Sequence, residues 1–392
     1  MKNFLWNLPT QIVFGKDTEA QIGQMVKARG GSKVLILCDS FLKGSTLLDT
    51  VTKSLSENGI EYLVQADVAP NPMLTDIEKR IEVAKNEKVN FIISIGGGST
   101  IDTGKAVGVG TASPEIPFED FVVKHLPITK TIPLGVVLTI AAAGSETSAS
   151  CMVTLDKGDL HVKGAIAGPA IRAAFAIMNP ENLYTLPKFQ LGCGTADIMI
   201  HTMDRYFTQV DGNEITDEIA ESIVRVAAKN GAEAMKTEKN YDALSEVMWC
   251  GSLSHNGMTN LGRPMDFSVH QIGNAFSGIY KKATHGAVMA ILWPEWAKYV
   301  YKNDIPRFAR LARKVWDIDE KDDETAALKG INRTKEFFTE ELELPSQLRD
   351  LGVLEEDLAQ IAASVTGNDS RKVGQLVGLS TSDILNIYKN AL

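Results

Sequence analysis

No CxxC pair, no GxGxxG turn and no apolar run long enough to cross a bilayer occur in this 392-residue chain. Its four cysteines, Cys38, Cys151, Cys193 and Cys250, lie far apart. That removes a cysteine-built zinc site and a dithiol redox centre, and fits the reduced thiols of a cytoplasmic protein. The ordinary dinucleotide fingerprint is missing, since Gly108 and Gly110 are followed by Ser113, and Gly192 and Gly194 by Asp197. Any nucleotide site is therefore of another kind. The most apolar stretch, residues 132–144, falls short of the roughly 20 residues a membrane helix needs. Residues 1–8 are interrupted by Asn3 and Asn7 and form no signal-peptide core. An excess of basic charge is also lacking: Lys+Arg 40 against Asp+Glu 49 gives −9. Neither nucleic acid nor an anionic membrane is expected as a partner.

What is present divides the chain in two. Lys33–Cys38 (KVLILC), residues 60–64, 89–95 and 132–138 are short apolar runs, and between them lie amphipathic stretches such as 74–87, with Ile77, Ile81, Val83 and Ala84 near helical spacing. Continuous apolar strands separated by helices predict a parallel sheet covered on both faces. From about Leu191 the strand runs disappear, and the spacing of Ile219, Ile223, Val224 and Ala227 is helical. Residues 179–187 (NPENLYTLP), with two prolines and turn formers, are the best boundary. The expected fold is a Rossmann-like α/β N-terminal domain over residues 1–185, followed by an all-α C-terminal domain over residues 186–392.

Two groups of residues carry chemistry. Gly96-Gly97-Gly98-Ser99 follows the VNFIISI strand and opens a helix. Glycines there let backbone N–H groups approach a pyrophosphate, and the helix terminus adds a favourable dipole; a tight turn alone is the other reading. Asp39 stands just past KVLILC. A carboxylate at that place accepts from a ribose 2′-OH and repels a 2′-phosphate, which favours NAD over NADP, whereas a helix cap is the structural alternative. In the helical half, Asp197 and His201 are four apart and share one helix face. His270 and His285 join them around one divalent ion only if the chain turns between them, because 15 residues of straight helix span about 22 Å. Residues 278–283, with Lys281 and Lys282, offer that turn. One carboxylate and three imidazoles suit Fe(II) or Zn(II) and are unlike a calcium or magnesium cage. His125, His161 and His255 are read as surface, loop or core histidines.

Taken together, PTQIVFGKD at 9–17, the Pro70-Asn71-Pro72 loop, GGGSTIDTGK at 96–105, PLGVVLTIAAAGSE at 133–146, NPENLYTLP, Asp197-x-x-x-His201, His270 and Thr284-His285-Gly286 resemble the iron-containing (group III) alcohol dehydrogenase family along most of the chain. The resemblance implies a dehydroquinate synthase-like architecture with an NAD(P)-binding α/β domain and a helical metal domain. It implies Asp197, His201, His270 and His285 as the catalytic metal centre for Fe2+ or Zn2+. It places Asp39 near the adenosine ribose, Gly97, Gly98 and Ser99 at the pyrophosphate, and Asp102 at the start of the next helix. Thr139, Ser145 and Lys163 match positions further along that approach the cofactor. The implied reaction is hydride transfer between NAD or NADP and a small primary or secondary alcohol or its aldehyde or ketone, in a cytoplasmic homo-oligomer. The family's LTxPATGSE reads LTIAAAGSE at 138–146, and Asn274 stands where many members carry a further histidine. A dehydroquinate synthase-like lyase that returns its NAD, and a noncatalytic dinucleotide-binding protein, are the alternative readings.

Overall fold

The computed structural model describes residues 1–157, 160–209, 212–237, 239–276, 279–280 and 283–392, without the side chains of 156–162. The chain forms two compact units, Asn7–Thr185, and Leu186–Leu392 together with Met1–Trp6. The boundary expected from sequence puts residues 1–6 with the α/β half, whereas they group with the helical unit, where Lys2 N–H donates to the Gly262 carbonyl at 2.8 Å.

In the unit Asn7–Thr185 the strands are β1 (Gln11–Phe14), β2 (Lys33–Cys38), β3 (Glu61–Ala66), β4 (Phe91–Gly96), β5 (Leu134–Leu138), β6 (Ser150–Lys157), β7 (Leu160–Ala167) and β8 (Phe175–Met178). The helices are α1 (Ile22–Lys27), α2 (Thr46–Glu57), α3 (Leu74–Asn86), α4 (Gly98–Ala112) and α5 (Phe118–Val123). Six strands make one sheet in the order β1-β8-β5-β4-β2-β3, and all of its pairs are parallel. Strands β4 and β5 are buried along their whole length, which is why they read as unbroken apolar runs and not as alternations. The order has a functional consequence. From β2 the chain moves outward to β3 and then returns to the other side of β2 with β4. The carboxyl ends of β2 and β4 therefore flank a topological switch point, where ligands bind in open α/β sheets.

Helix α4 lies unusually close to this sheet. A Cβ on Gly104 would stand 2.3 Å from Ser94 Oγ, and one on Gly108 2.7 Å from Thr131 Oγ1. These two glycines, one turn apart, serve packing. The antiparallel pair β6–β7 forms a separate sheet that the sequence pattern did not announce. It is fastened by Thr154 N–H donating to the Pro72 carbonyl at 2.7 Å.

The other unit contains α6 (Lys188–Tyr206), α7 (Glu214–Lys236), α8 (Tyr241–His255), α9 (Ser268–Asn274), α10 (His285–Val300), α11 (Ile305–Trp316), α12 (Asp323–Glu336), α13 (Leu358–Thr366) and α14 (Thr381–Ala391). Among its described residues the only β pairing is the isolated bridge Val373–Leu379. Helix α6 is buried from Leu191 to Tyr206 without a break, so it is the axis around which the unit packs. Its carboxyl end is held by Arg307 Nε donating to the Tyr206 carbonyl at 2.6 Å. Among the described residues no helix is long and apolar enough to cross a membrane.

Candidate functional site

Three helices bring the predicted ligand residues together. Asp197 and His201 sit one turn apart on α6, His270 lies in α9 and His285 is the first residue of α10. Their approach depends on Gly286. A Cβ there would stand 2.2 Å from the Cys193 carbonyl oxygen, so only a glycine lets the start of α10 rest on the α6 backbone one turn before Asp197. Of the turn expected at 278–283, residues 278, 281 and 282 lie outside the described residues.

The donor atoms converge. The Nε2 atoms of His201, His270 and His285 lie 3.7, 3.7 and 3.4 Å from Asp197 Oδ1, and one ligand atom from each of the four residues lies within 4.8 Å of the others. With metal–nitrogen bonds of roughly 2.1 Å, a tetrahedral set has ligand–ligand edges of about 3.4 Å. Asp197 Oδ1 and His270 Nε2 are buried and have no hydrogen-bond partner among the described residues. Buried polar atoms are normally satisfied, so two that face one another across such a gap fit a cation, and the residues present suit Fe(II) or Zn(II).

The electrostatics agree with that reading. Burial would raise the Asp197 carboxyl, but His201, His285 and His270 hold it well below the usual carboxylate range. Burial, reinforced by the neighbouring His270, keeps His201 well below the ordinary imidazole value and therefore neutral. Burial also opposes charge on His270, yet the nearby Asp197 carboxylate and the hydrogen bond with Asp204 raise it. Neutral imidazole is the form that ligates, and a nearby carboxylate strengthens it as a donor.

Sequence reasoning assigned no role to Asp204 or Arg205. Asp204, fully buried on α6, has Oδ2 at 2.7 Å from His270 Nδ1. Its signal was present, since it continues the Asp197–His201 face at the next helical turn. His255 ends α8 with its ring centroid 4.6 Å from that of His201, so it belongs to this neighbourhood and not to a remote surface. Phe267 stacks on His270 at 4.4 Å, with the Arg205 guanidinium 4.8 Å from its ring centroid. His125 is exposed, and the His161 side chain lies outside the described residues.

The second group of residues gathers in the α/β unit, at the carboxyl edge of three adjacent strands. Gly97 caps α4 and Gly98 begins it. A Cβ on Gly97 would meet Ile140 at 3.0 Å, whereas one on Gly98 would meet nothing within 4 Å. The helix terminus therefore opens onto free space at Gly98. Ser99 Oγ accepts from Asn71 N–H at 3.2 Å, which leaves its own hydrogen available to a ligand. Thr139, just beyond β5, has a buried hydroxyl without a hydrogen-bond partner among the described residues. Asp39 follows β2 half-buried and makes no side-chain capping bond, so the helix-cap alternative finds no support. Burial raises its carboxyl.

Asp102 and Ser145 are engaged with each other. Asp102 Oδ1 accepts from Ser145 Oγ at 2.6 Å and Oδ2 from Met152 N–H at 2.9 Å. The buried Lys105 ammonium donates to the carbonyls of Ser145, Ser148 and Ser150 at 2.7, 3.1 and 2.8 Å. Burial lowers Lys105 and raises Asp102, and each opposes that shift in the other. This pair pins the segment carrying Ser145 to α4. Lys163, half-buried on β7, faces Thr154 in the hairpin register and acts electrostatically on Asp102.

A parallel sheet with an open glycine turn at its switch point, joined to a helical unit with an aspartate–trihistidine cluster, has the plan of a metal-assisted oxidoreductase. Comparison with known proteins gives the family. Residues 9–180 match the model of the iron-containing alcohol dehydrogenases, and residues 193–392 that of the C-terminal part of the Fe-containing alcohol dehydrogenase family. The chain belongs to the iron-containing alcohol dehydrogenase family. It is 33% identical, over the full length of both chains, to NADH-dependent butanol dehydrogenase A of Clostridium acetobutylicum. It is 29% identical, again over both full lengths, to the NADPH-dependent aldehyde reductase YqhD of Escherichia coli. The crystal structure of NADH-dependent butanol dehydrogenase A from Thermotoga maritima superposes with a TM-score of 0.94 at 32% identity, covering 100% of this chain and 99% of that one.

Proposed function

We propose that the protein reduces a small aldehyde to its primary alcohol, and runs the reverse, with NADH as the preferred hydride donor and a divalent ion, Fe(II) or Zn(II), held by Asp197, His201, His270 and His285. The observation that carries this is the convergence of three imidazole nitrogens on one buried carboxylate oxygen. When bound there, the ion supplies Lewis acidity toward an alcohol or carbonyl oxygen. Everything else falls to the chain. Asp197 contributes the negative charge of the ligand set, and burial of Asp197, His201 and His270 keeps water from competing for the donors. In the α/β unit the amino terminus of α4 and the open face of Gly98 receive the pyrophosphate. Thr139 and Ser145 supply polar atoms further along the cofactor, and Lys163 a positive charge. Asp39 accepts from the ribose hydroxyls. Hydride passes to the carbonyl carbon and a proton to its oxygen, so the aldehyde, NADH and H+ become the alcohol and NAD+.

Likeness to the NADH-dependent butanol dehydrogenase supports the substrate class and the cofactor. The buried cysteines, of which burial pushes Cys38 up to about 11 and Cys193 and Cys250 up to about 12, suit a reducing cytoplasm, and the proposed working form is a homo-oligomer. The protein loaded with Fe(II) or Zn(II) is to be assayed for NADH oxidation against a panel of short aldehydes. Turnover with butanal or a near homologue is expected; its absence across the panel with metal bound overturns the proposal. Replacing Asp39 by Gly is expected to raise kcat/KM for NADPH relative to NADH about tenfold or more, because a carboxylate repels the 2′-phosphate. An unchanged ratio removes Asp39 from the cofactor site.

A further inference from the structure

Asp204 is buried, lies outside the ligand set, and makes four bonds to one short segment. Its backbone carbonyl accepts from Asp266 N–H at 3.1 Å and from Phe267 N–H at 3.2 Å. Its Oδ2 accepts from His270 N–H at 3.1 Å and lies 2.7 Å from His270 Nδ1. Thus the residue one helical turn beyond His201 holds the loop that delivers the third ligand. The loop needs holding. Phe267 has a φ of 57°, in the left-handed region that an aromatic residue enters only under constraint. The two Asp204 carbonyl bonds, together with the stacking of Phe267 on His270 and the Arg205 guanidinium near that ring, fix it there.

We infer that Asp204 is a positioning residue for His270. Its carboxylate receives the Nδ1 hydrogen, which fixes the tautomer and turns the Nε2 lone pair toward Asp197 Oδ1, so that the ring is aimed before any ion arrives. A carboxylate behind a ligating histidine orients the ring and increases its basicity, and loss of such a partner typically costs 10–100-fold in metal affinity. Asp204 Oδ1 has no hydrogen-bond partner among the described residues, so the carboxylate's described contacts are directed at His270. Among the described residues no comparable carboxylate backs His201, whose Nδ1 lies 3.3 Å from Arg205 Nη1. His270 and His201 are therefore unequal: the carboxylate of Asp204 sets the direction of His270, whereas a guanidinium nitrogen lies beside His201 Nδ1.

The inference rests on the metal reading of the cluster, and the experiment separates the two. Zn(II) affinity of the full-length, metal-stripped protein is measured by chelator competition for the parent, Asp204→Asn and Asp204→Ala, well below each melting temperature. Asp204→Asn keeps the size and one acceptor oxygen but removes the charge. Affinity is expected to fall about 10-fold or more for Asn and further for Ala, while Thr202→Ala, a buried neighbour on the same helix, binds within about twofold of the parent. In the metal-free parent, where no ion fixes the tautomer, histidine-selective 15N spectra are expected to show His270 already protonated at Nδ1, and Asp204→Ala to lose that preference, a signal that a merely structural role would not require. Parent-like affinity in Asp204→Asn, or a metal-free parent in which His270 carries its single ring proton on Nε2, overturns the positioning role. If Asp204→Ala does not fold, the Asn affinity and the parent spectrum decide. A parent that binds no Zn(II) or Fe(II) overturns the metal reading itself.

Discussion

Gly97 and Gly98 are adjacent and chemically identical, yet the fold asks different things of them. Gly97 has Ile140 against the place where a side chain would go, and Gly98 has open space. Gly97 is thus constrained by packing and Gly98 is free to admit a ligand. Gly98→Val is expected to melt at or above the parent temperature, since valine is a better helix former than glycine, while NADH affinity in a fluorescence titration falls at least tenfold. Unchanged affinity would remove the glycine turn from the dinucleotide site. The motif was legible in the sequence, but this division of labour was not, because it depends on what lies opposite each Cα. Lys105 makes the same point. On a helix pattern a lysine reads as solvated, yet here its ammonium is buried among three carbonyls, and only the folded segment 145–150 supplies them.

At the level of elements, three helices make the cluster and one glycine regulates their distance. Gly286→Ala places a methyl group 2.2 Å from the Cys193 carbonyl, and backbone atoms cannot swing aside as side chains do. Helix α10 must move off α6, carrying His285 with it. The expected loss is about 1–3 kcal/mol of stability and at least tenfold in metal affinity. A variant with parent affinity in the same chelator competition would show that α10 tolerates the shift. Much of this level was readable from periodicity: the i, i+4 spacing on α6 put Asp197 and His201 on one face, and the buried strands declared themselves as apolar runs. The strands β1 and β8 escaped notice because four residues carry too little pattern. The hairpin β6–β7 escaped because nothing local distinguishes it from a loop following a strand. Asp204 shared the visible helix face, but no helical pattern says that a segment more than sixty residues later will dock against it.

For the whole molecule, the two compact units divide the work. The residues assigned to the dinucleotide lie in Asn7–Thr185, and the cluster assigned to the ion lies in the unit built from Leu186–Leu392. Metal removal is accordingly expected to lower the melting temperature in scanning calorimetry by several degrees, with the loss in the helical unit. An ion at one hundred times its dissociation constant stabilises the form that binds it by about 2.7 kcal/mol, and an unchanged melting curve after chelation would show that nothing was bound. The magnitude depends on how poorly the unfolded chain competes, and here the convergence on Asp197 has a statistical consequence. In a random coil the same four donors are separated by the long stretch from His201 to His270 and the shorter one from His270 to His285. Gathering them around an ion means closing both loops at once, with an entropy cost that grows with the logarithm of their lengths. The folded chain has already closed them. A divalent ion therefore tells the folded chain from the unfolded one by connectivity alone, before any difference in ligand chemistry enters.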